Sequence, residues 1–277
     1  MDTDPTGPSP GHCRAMAAAM RRGIIERSFA SGVGHIGSAL SIADLVAVLW
    51  GAVLRDPGSS SPDRDRFILS KGHACLALYA AMRYRGQLDE AAFATYCRDG
   101  SALGAHPEHT LPGIDLSTGS LGQGLSVGCG IAYGLRHRGS PARVYVLMSD
   151  AECNEGQVWE AAQFAGHHRL GNLTGVLDWN GTQALGRTCD VLDLAPVADK
   201  WRVFGWDVVE ADGHDPAELL QALAPNPCID AGVRPKMVVA RTVLGKGVSF
   251  MEGQVPWHYL NLTPETRERA LAELEGC

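Results

Sequence analysis

The residues best equipped for chemistry in this chain lie where short apolar runs stop. Asp150 closes the run over residues 144–148, and Asn180 follows the run over 173–177. A carboxylate, an amide oxygen and a nearby backbone carbonyl suit a hard cation, Mg²⁺ or equally Ca²⁺. With one charged ligand the ion would keep net positive charge and could grip phosphate oxygens. An Asp that caps a helix and an Asn that makes a turn account for the same pair without any metal. Histidines sit in three Gly-bearing segments: His35 in SGVGHIGS, His73 in SKGH and His106 in LGAHPE. A further Gly- and hydroxyl-rich stretch, residues 117–124, runs directly into a helical pattern.

These groups need elements to position them. Between Asp150 and Asn180 the pattern is helical over 155–168, with Val158, Ala161, Ala162 and Ala165 on one apolar face. Gly171-Asn172 ends it. Strand, helix and parallel strand follow in order. Ligands of open α/β sheets bind beyond the carboxyl ends of strands, so Asp150 and Asn180 are expected to face one crevice. Residues 66–70 read as a strand with Lys71-Gly72-His73 at its end, opening a helix that carries Leu76, Leu78, Tyr79 and Met82. A Gly-His pair at that place suits a phosphate neighbour. After the loop at 31–38, Ser41 and Asp44 are spaced as a capping box. The 117–124 loop exposes backbone N–H groups suited to anions. The small residues Ser126, Gly128 and Gly130 behind it permit close packing, including against another subunit. A tight turn into a buried helix explains that loop equally well, and lone loop histidines are ordinarily surface residues.

The rest of the chain supplies scaffolding. Residues 1–10 are polar and Pro-rich and are expected to be disordered. Residues 13–29 form a helix whose basic face (Arg14, Arg21, Arg22) reads as solvated. After Asn180 come a helix over 192–204, a strand over 207–210, Gly213-His214-Asp215-Pro216, a helix over 217–223, a loop over 225–232 and a strand over 235–242. Thr263-Pro264 opens a last helix and Gly276 lies past its end.

Composition narrows the function classes. The chain has 277 residues, 45% hydrophobic and 20% charged, with net charge −7. That is a soluble globular composition with enough chain for a sizeable core. The negative balance argues against nucleic acid as the main partner. Eight cysteines show neither C-x-x-C pairs nor zinc spacing. No signal peptide or membrane span is visible, so reduced thiols in a cytoplasmic protein are expected.

Residues 150–180 resemble the thiamine-diphosphate fingerprint of the transketolase family, Gly-Asp-Gly followed at this spacing by Asn. Glu155-Gly156 and Glu160-Ala161 match the family's Glu-Gly and Glu-Ala pairs. Ser149 and Ala151 stand where the family usually has glycines. Ala151 keeps an N–H that can face a phosphate. It loses access to positive φ, at about 1 kcal/mol if the loop needs it, which gives a weakened but intact site. Gly34-His35-Ile36-Gly37 resembles the family's Gly-His-Pro-Gly, with Ile36 in place of Pro. Ser70 to His73 resembles Ser-x-Gly-His, while His106-Pro107-Glu108 and residues 118–124 resemble two further motifs. Residues 242–247 resemble the Thr-x-x-Gly-x-Gly run. His258 is the candidate in the loop that follows, although Tyr259-Leu260 departs from the family's Gly-rich continuation.

The resemblance implies a doubly wound α/β fold, a mainly parallel sheet with helices on both faces, as one diphosphate-binding domain over residues 11–277. It implies Mg²⁺ held by Asp150, Asn180 and the Thr182 carbonyl. Thiamine diphosphate would lie against Ser120, Leu121, Gly122, Asp150, Ala151 and Asn180. His35, His73, His106 and His258 would line the reaction centre and exchange protons with sugar hydroxyls near neutral pH. Glu155 matches a glutamate at the family's subunit interface. The reaction passes a two-carbon ketol unit from a ketose, expected to be a sugar phosphate, to an aldose. The family's complete enzymes have two further domains. The expected partner is therefore a C-terminal subunit carrying the pyrimidine-binding and C-terminal domains, in an α2β2 assembly. The alternatives are a subunit of another thiamine enzyme of the 2-oxoacid decarboxylase or dehydrogenase type, or a non-catalytic partner that lost function through Ser149 and Ala151. A plain nucleotide-binding domain would show a G-x-G-x-x-G or P-loop lysine, and neither occurs.

Overall fold

The computed structural model describes residues 9–225 and 232–275. Its centre is a parallel sheet of β1 (Arg66–Leu69), β2 (Val144–Ser149), β3 (Leu173–Trp179), β6 (Asp207–Asp212) and β7 (Lys236–Arg241), ordered β1-β2-β3-β7-β6. A two-stranded antiparallel ribbon, β4 (Thr182–Gln183) and β5 (Gly186–Arg187), hangs from the end of β3. The central strands β2, β3 and β7 are mainly aliphatic with little polar alternation, which is the pattern of strands covered on both faces.

Side-chain alternation divides the core in two. Tyr145 and Leu147 of β2, Val176 of β3, and Val238 and Ala240 of β7 point to one face. There they meet α1 (Pro10–Ser31), α2 (Ile36–Ser41), α3 (Ala43–Val48, continued by one π-helical turn at Leu49–Val53) and α4 (Cys75–Tyr84). The short α5 (Glu90–Phe93) also packs there. Val144, Val146 and Met148, with Leu173, Leu177, Met237 and Val239, point to the other. That face is covered by α6 (Gln123–His137), α7 (Gly156–His167) and, after the short α8 (Thr188–Val191), by α9 (Val197–Val203). Helices α10 (Pro216–Leu223) and α11 (Pro264–Glu275) return to the first face. Helices on both faces of a parallel sheet make the fold doubly wound, as expected.

Several expectations need correction. Ser41 does not cap a helix. It ends α2, and its hydroxyl donates to Asp178. Asp44 is buried against Arg21 and His214. Arg21 therefore leaves the solvated face assigned to it, because a buried carboxylate recruits it inward. Gly128 packs on its own sheet: a Cβ there would lie 2.5 Å from Val146 Cγ2. The helix expected from residue 192 begins at Val197, after Pro196. Ser9 caps α1 and Pro10 opens it. The rest of the expected disordered tail, and residues 226–231 of the expected loop, lie outside the described residues. Among the described residues no helix is long and apolar enough to cross a membrane.

Candidate active site

Every strand of the main sheet delivers a polar residue at its carboxyl end. Lys71 and His73 follow β1, Asp150 follows β2, Asp178 and Asn180 end β3, Thr242 follows β7 and His214 follows β6. A narrow crevice of about 90 Å³ opens there. Lys71, His73 and Ser38 line one side, and Ala151, Asn180 and Thr182 another. Leu121, Ser149, Ala184 and His258 complete it. Larger hollows of about 690 and 710 Å³ lie elsewhere, one between the ends of α6 and α7 and one beside β6. The first holds none of these strand-end residues, and the second only His214 and Thr242.

Asp150 and the turn after Asn180 are tied together through Thr188, and of the two only Asn180 lines the crevice. Asp150 is fully buried. Its Oδ2 accepts from Thr188 Oγ1 at 2.7 Å and its Oδ1 from Ala151 N at 2.8 Å. Thr188 N in turn donates to Gly181 O at 2.9 Å, so one threonine ties the ends of β2 and β3 together. Burial raises the Asp150 carboxyl to about 6, against the lowering effect of the Thr188 bond. The Ala151 N–H expected to face a phosphate is thus engaged by Asp150.

The turn before α6 also departs from expectation. Gly122 sits at φ 83°, a left-handed conformation that a side chain resists. A Cβ there would meet Glu155 Cβ at 2.8 Å, so Glu155, although exposed, packs on this turn. The Gly122 N–H assigned to the diphosphate instead donates to Glu152 Oε1 at 3.0 Å, and its carbonyl accepts from Gln157. Glu152 is a fully buried carboxylate. Besides Gly122 it takes Ser70 Oγ and, at 2.9 Å, Ser149 N. It joins the ends of β1 and β2 to the start of α6. Burial raises its pKa, and these donors counter the rise. Leu121 reaches the crevice and Ser120 is exposed.

Three histidine rings cluster together, and two of them, His73 and His258, line the crevice. Ring centroids are 5.2 Å apart for His35 and His73, and 5.4 Å for His258 with either. His35 takes φ 65° as it opens α2, a left-handed conformation uncommon outside glycine. Gly34 beside it lets Tyr259 pass: a Cβ there would lie 2.5 Å from Tyr259 O. Tyr259, whose hydroxyl reaches Ala184 O at 2.6 Å, thereby carries His258 to the cluster. His73 Nε2 lies 3.2 Å from Ser38 Oγ. Nδ1 of His35 and of His258 is buried without a partner among the described residues. Burial lowers all three pKa values: His35 with help from His106, His73 well below its usual range with Lys71 next in effect, and His258 to about 4. The lowered values favour neutral rings near pH 7, the form that can accept a proton. His106 packs on Gly119, and Tyr79 OH holds its carbonyl at 3.1 Å.

Sequence reasoning missed the polar knot beneath the crevice. Lys71 Nζ lies 2.6 Å from Asp178 Oδ2, with side chains 1% and 0% exposed. Two charges this dry persist only as a pair, since removing one partner costs about 3–5 kcal/mol. Spacing gave no signal for it, because the partners come from different strands.

Comparison with known proteins agrees with this architecture. Residues 14–269 match the family model described as the thiamine diphosphate binding domain of transketolase, and the chain belongs to that family. It is 40% identical over 262 residues to a 6-deoxy-6-sulfo-D-fructose transketolase subunit of Clostridium sp., covering 94% of each chain. It is 35% identical to an apulose-4-phosphate transketolase subunit of Phocaeicola vulgatus, covering 92% of this chain and 90% of that one. The crystal structure of Pichia stipitis transketolase in complex with sedoheptulose 7-phosphate superposes with a TM-score of 0.87 at 27% identity. The match covers 96% of this chain and 41% of that one. The chain thus spans well under half the length of such transketolases.

Proposed function

We propose that this chain is the N-terminal subunit of a two-chain transketolase. It binds thiamine diphosphate with Mg²⁺ and moves a two-carbon ketol unit from a ketose to an aldose. The observation that carries the reading is the joining of Asp150 and the Asn180 turn through Thr188, facing a wall of neutral histidines. The donor set fits the metal. Asp150, the Asn180 amide oxygen and the Thr182 carbonyl are all oxygens, as a hard cation requires. Among the described residues no three His, Cys, Asp or Glu side chains converge to hold a metal. Water and the cofactor's phosphate oxygens would complete the shell, as Mg²⁺ is ordinarily held. A cation against Asp150 favours its charged form and opposes the burial that raises its pKa.

When bound, thiamine diphosphate supplies the electron sink that cleavage of a carbon–carbon bond beside a carbonyl requires. The chain's own residues orient and exclude. Leu121 and the Ser120 turn, with Ala151, offer the wall against which the cofactor lies. His35 and His258, each with an Nδ1 that has no partner among the described residues, and His73 beside Ser38 accept or donate hydrogen bonds to sugar hydroxyls. His106 stands next to them. The named substrates of the two subunit relatives carry a sulfo or a phosphate group, and an anionic ketose is the donor class we infer.

The crevice holds about 90 Å³, below the roughly 300 Å³ of ordinary ligand pockets. A second surface must close over the cofactor. The relatives named as subunits have nearly this chain's length, which supports a partner polypeptide carrying the remaining domains, with Glu155 at the contact. The test is calorimetric titration of thiamine diphosphate with Mg²⁺ into the enzyme assembled with its partner subunit, carrying wild type or Asp150→Ala. Wild type should bind only with Mg²⁺, and the variant should lose that metal-dependent binding. Equal affinity in both would overturn the site.

A further inference from the structure

Asp178 has the densest set of donors in the site. Its Oδ1 accepts Ser41 Oγ at 2.7 Å and Thr242 Oγ1. Its Oδ2 accepts Lys71 Nζ at 2.6 Å and Asn180 Nδ2 at 2.9 Å. An ionised carboxylate only accepts hydrogen bonds. The Asn180 amide must therefore turn its NH₂ end to Asp178 and its oxygen away. Two further contacts agree: Nδ2 also donates to Ser41 Oγ at 3.2 Å, and Oδ1 accepts Thr182 N at 2.9 Å. Ser41 spends its own proton on Asp178 and so has only a lone pair to offer the amide.

We infer that Asp178, buried and paired with Lys71, is a positioning residue that fixes the Asn180 amide with its oxygen toward the cation. This rests on the metal-dependent reading above. The two members of the pair have separable tasks. Lys71 balances charge, which matters to folding. Asp178 also dictates which end of an amide faces it, and a neutral amide at position 178 could not, because it both donates and accepts.

The test separates these tasks in the full-length chain. Wild type, Asp178→Asn, Lys71→Met/Asp178→Asn and Ser41→Ala are compared in two measurements. One is the thermal midpoint without ligand. The other is the Mg²⁺ concentration giving half-maximal binding of thiamine diphosphate by the chain assembled with its partner subunit, followed by tryptophan fluorescence. Asp178→Asn should lower the midpoint and raise the half-saturating Mg²⁺ about 10- to 100-fold, the usual effect of losing a group that orients a metal ligand. The double variant has no uncompensated buried charge and should recover most of the midpoint while its Mg²⁺ requirement stays raised. Ser41→Ala, which keeps the ion pair and removes one amide contact, should raise the requirement a few-fold and serves if the other variants do not fold. Recovery of both properties in the double variant, or an unchanged requirement in Ser41→Ala when the others do not fold, would overturn the inference while leaving the functional reading intact. A wild-type chain with no Mg²⁺-dependent binding would overturn both.

Discussion

Substituting Gly34 by Ala offers a direct probe of how His258 reaches the crevice. The new Cβ would stand 2.5 Å from Tyr259 O and 3.0 Å from Tyr259 C. These are backbone atoms, so no side chain can rotate away. Unstrained contact between heavy atoms begins at about 3.5 Å, and the backbone at Tyr259 has to retreat by about 1 Å. Overpacking of this kind costs about 1–3 kcal/mol, a fall of about 2–4 °C in Tm per kcal/mol for a chain of this size. The functional effect should be larger. A shift of about 1 Å at a group that positions substrate can lower turnover by about 100-fold. Asp150 and Asn180 lie on other strands and do not touch this contact, so cofactor affinity should stay near wild type.

The assay is steady-state transfer by the assembled enzyme at saturating cofactor, beside the thermal midpoint and the cofactor dissociation constant. Gly11→Ala is the control, since its Cβ would make only an ordinary 3.7 Å contact with Ser9. Wild-type turnover in Gly34→Ala, with a lowered midpoint, would show that the placement of His258 does not matter to the reaction. A loss of cofactor affinity in proportion to turnover would show that the contact acts through the diphosphate site.

Two other outcomes follow from the same site. The unfolded His258 takes up a proton near pH 6.5 and the folded one only near 4, so between these values the unfolded chain binds more protons and stability falls as pH falls. The contribution is intact above about 6.5 and its loss approaches about 3 kcal/mol near pH 4; the gap between urea midpoints at pH 7 and 5 should narrow in His258→Gln without closing, because His35 and His73 act in the same direction, and an equal gap in both proteins would remove His258 as a cause. The lone chain, given cofactor, Mg²⁺ and a ketose donor, should show no transfer until a partner subunit is added, and robust turnover by the lone chain would refute the two-chain reading.

What could be read in the sequence was what is local. The apolar runs ending at Asp150 and Asn180 place both at strand ends, and Gly-rich stretches mark the turns around them. His258, weakly marked by its own neighbours, is brought to His35 and His73 by a close approach at Gly34 that only coordinates reveal. The polar knot was illegible for a physical reason. Lys71, Asp178, Ser41 and Thr242 come from four separate segments, and a charged residue in any one of them reads as solvated until its partner is seen. Arg21 shows the same limit: helical spacing put it with Arg14 and Arg22, yet Asp44 and the Lys246 carbonyl draw it inside.

The departures at Ser149 and Ala151 bear on whether the site is competent. Their expected penalty assumed that the loop requires positive φ. In the folded chain Ser149 is the last residue of β2, Asp150 has φ −61°, and Ala151 opens a 3₁₀ turn. None of the three appears among the left-handed residues, so a side chain at 149 or 151 meets no backbone strain. Ser149 even adds contacts, since its Oγ accepts from Glu152 N at 3.3 Å, supporting the carboxylate that binds Gly122 N and Ser70. The energetic argument for a non-catalytic partner therefore loses its premise. The turn that carries Asp150 is held by Glu152 and Thr188, and neither contact depends on glycine on either side of the aspartate.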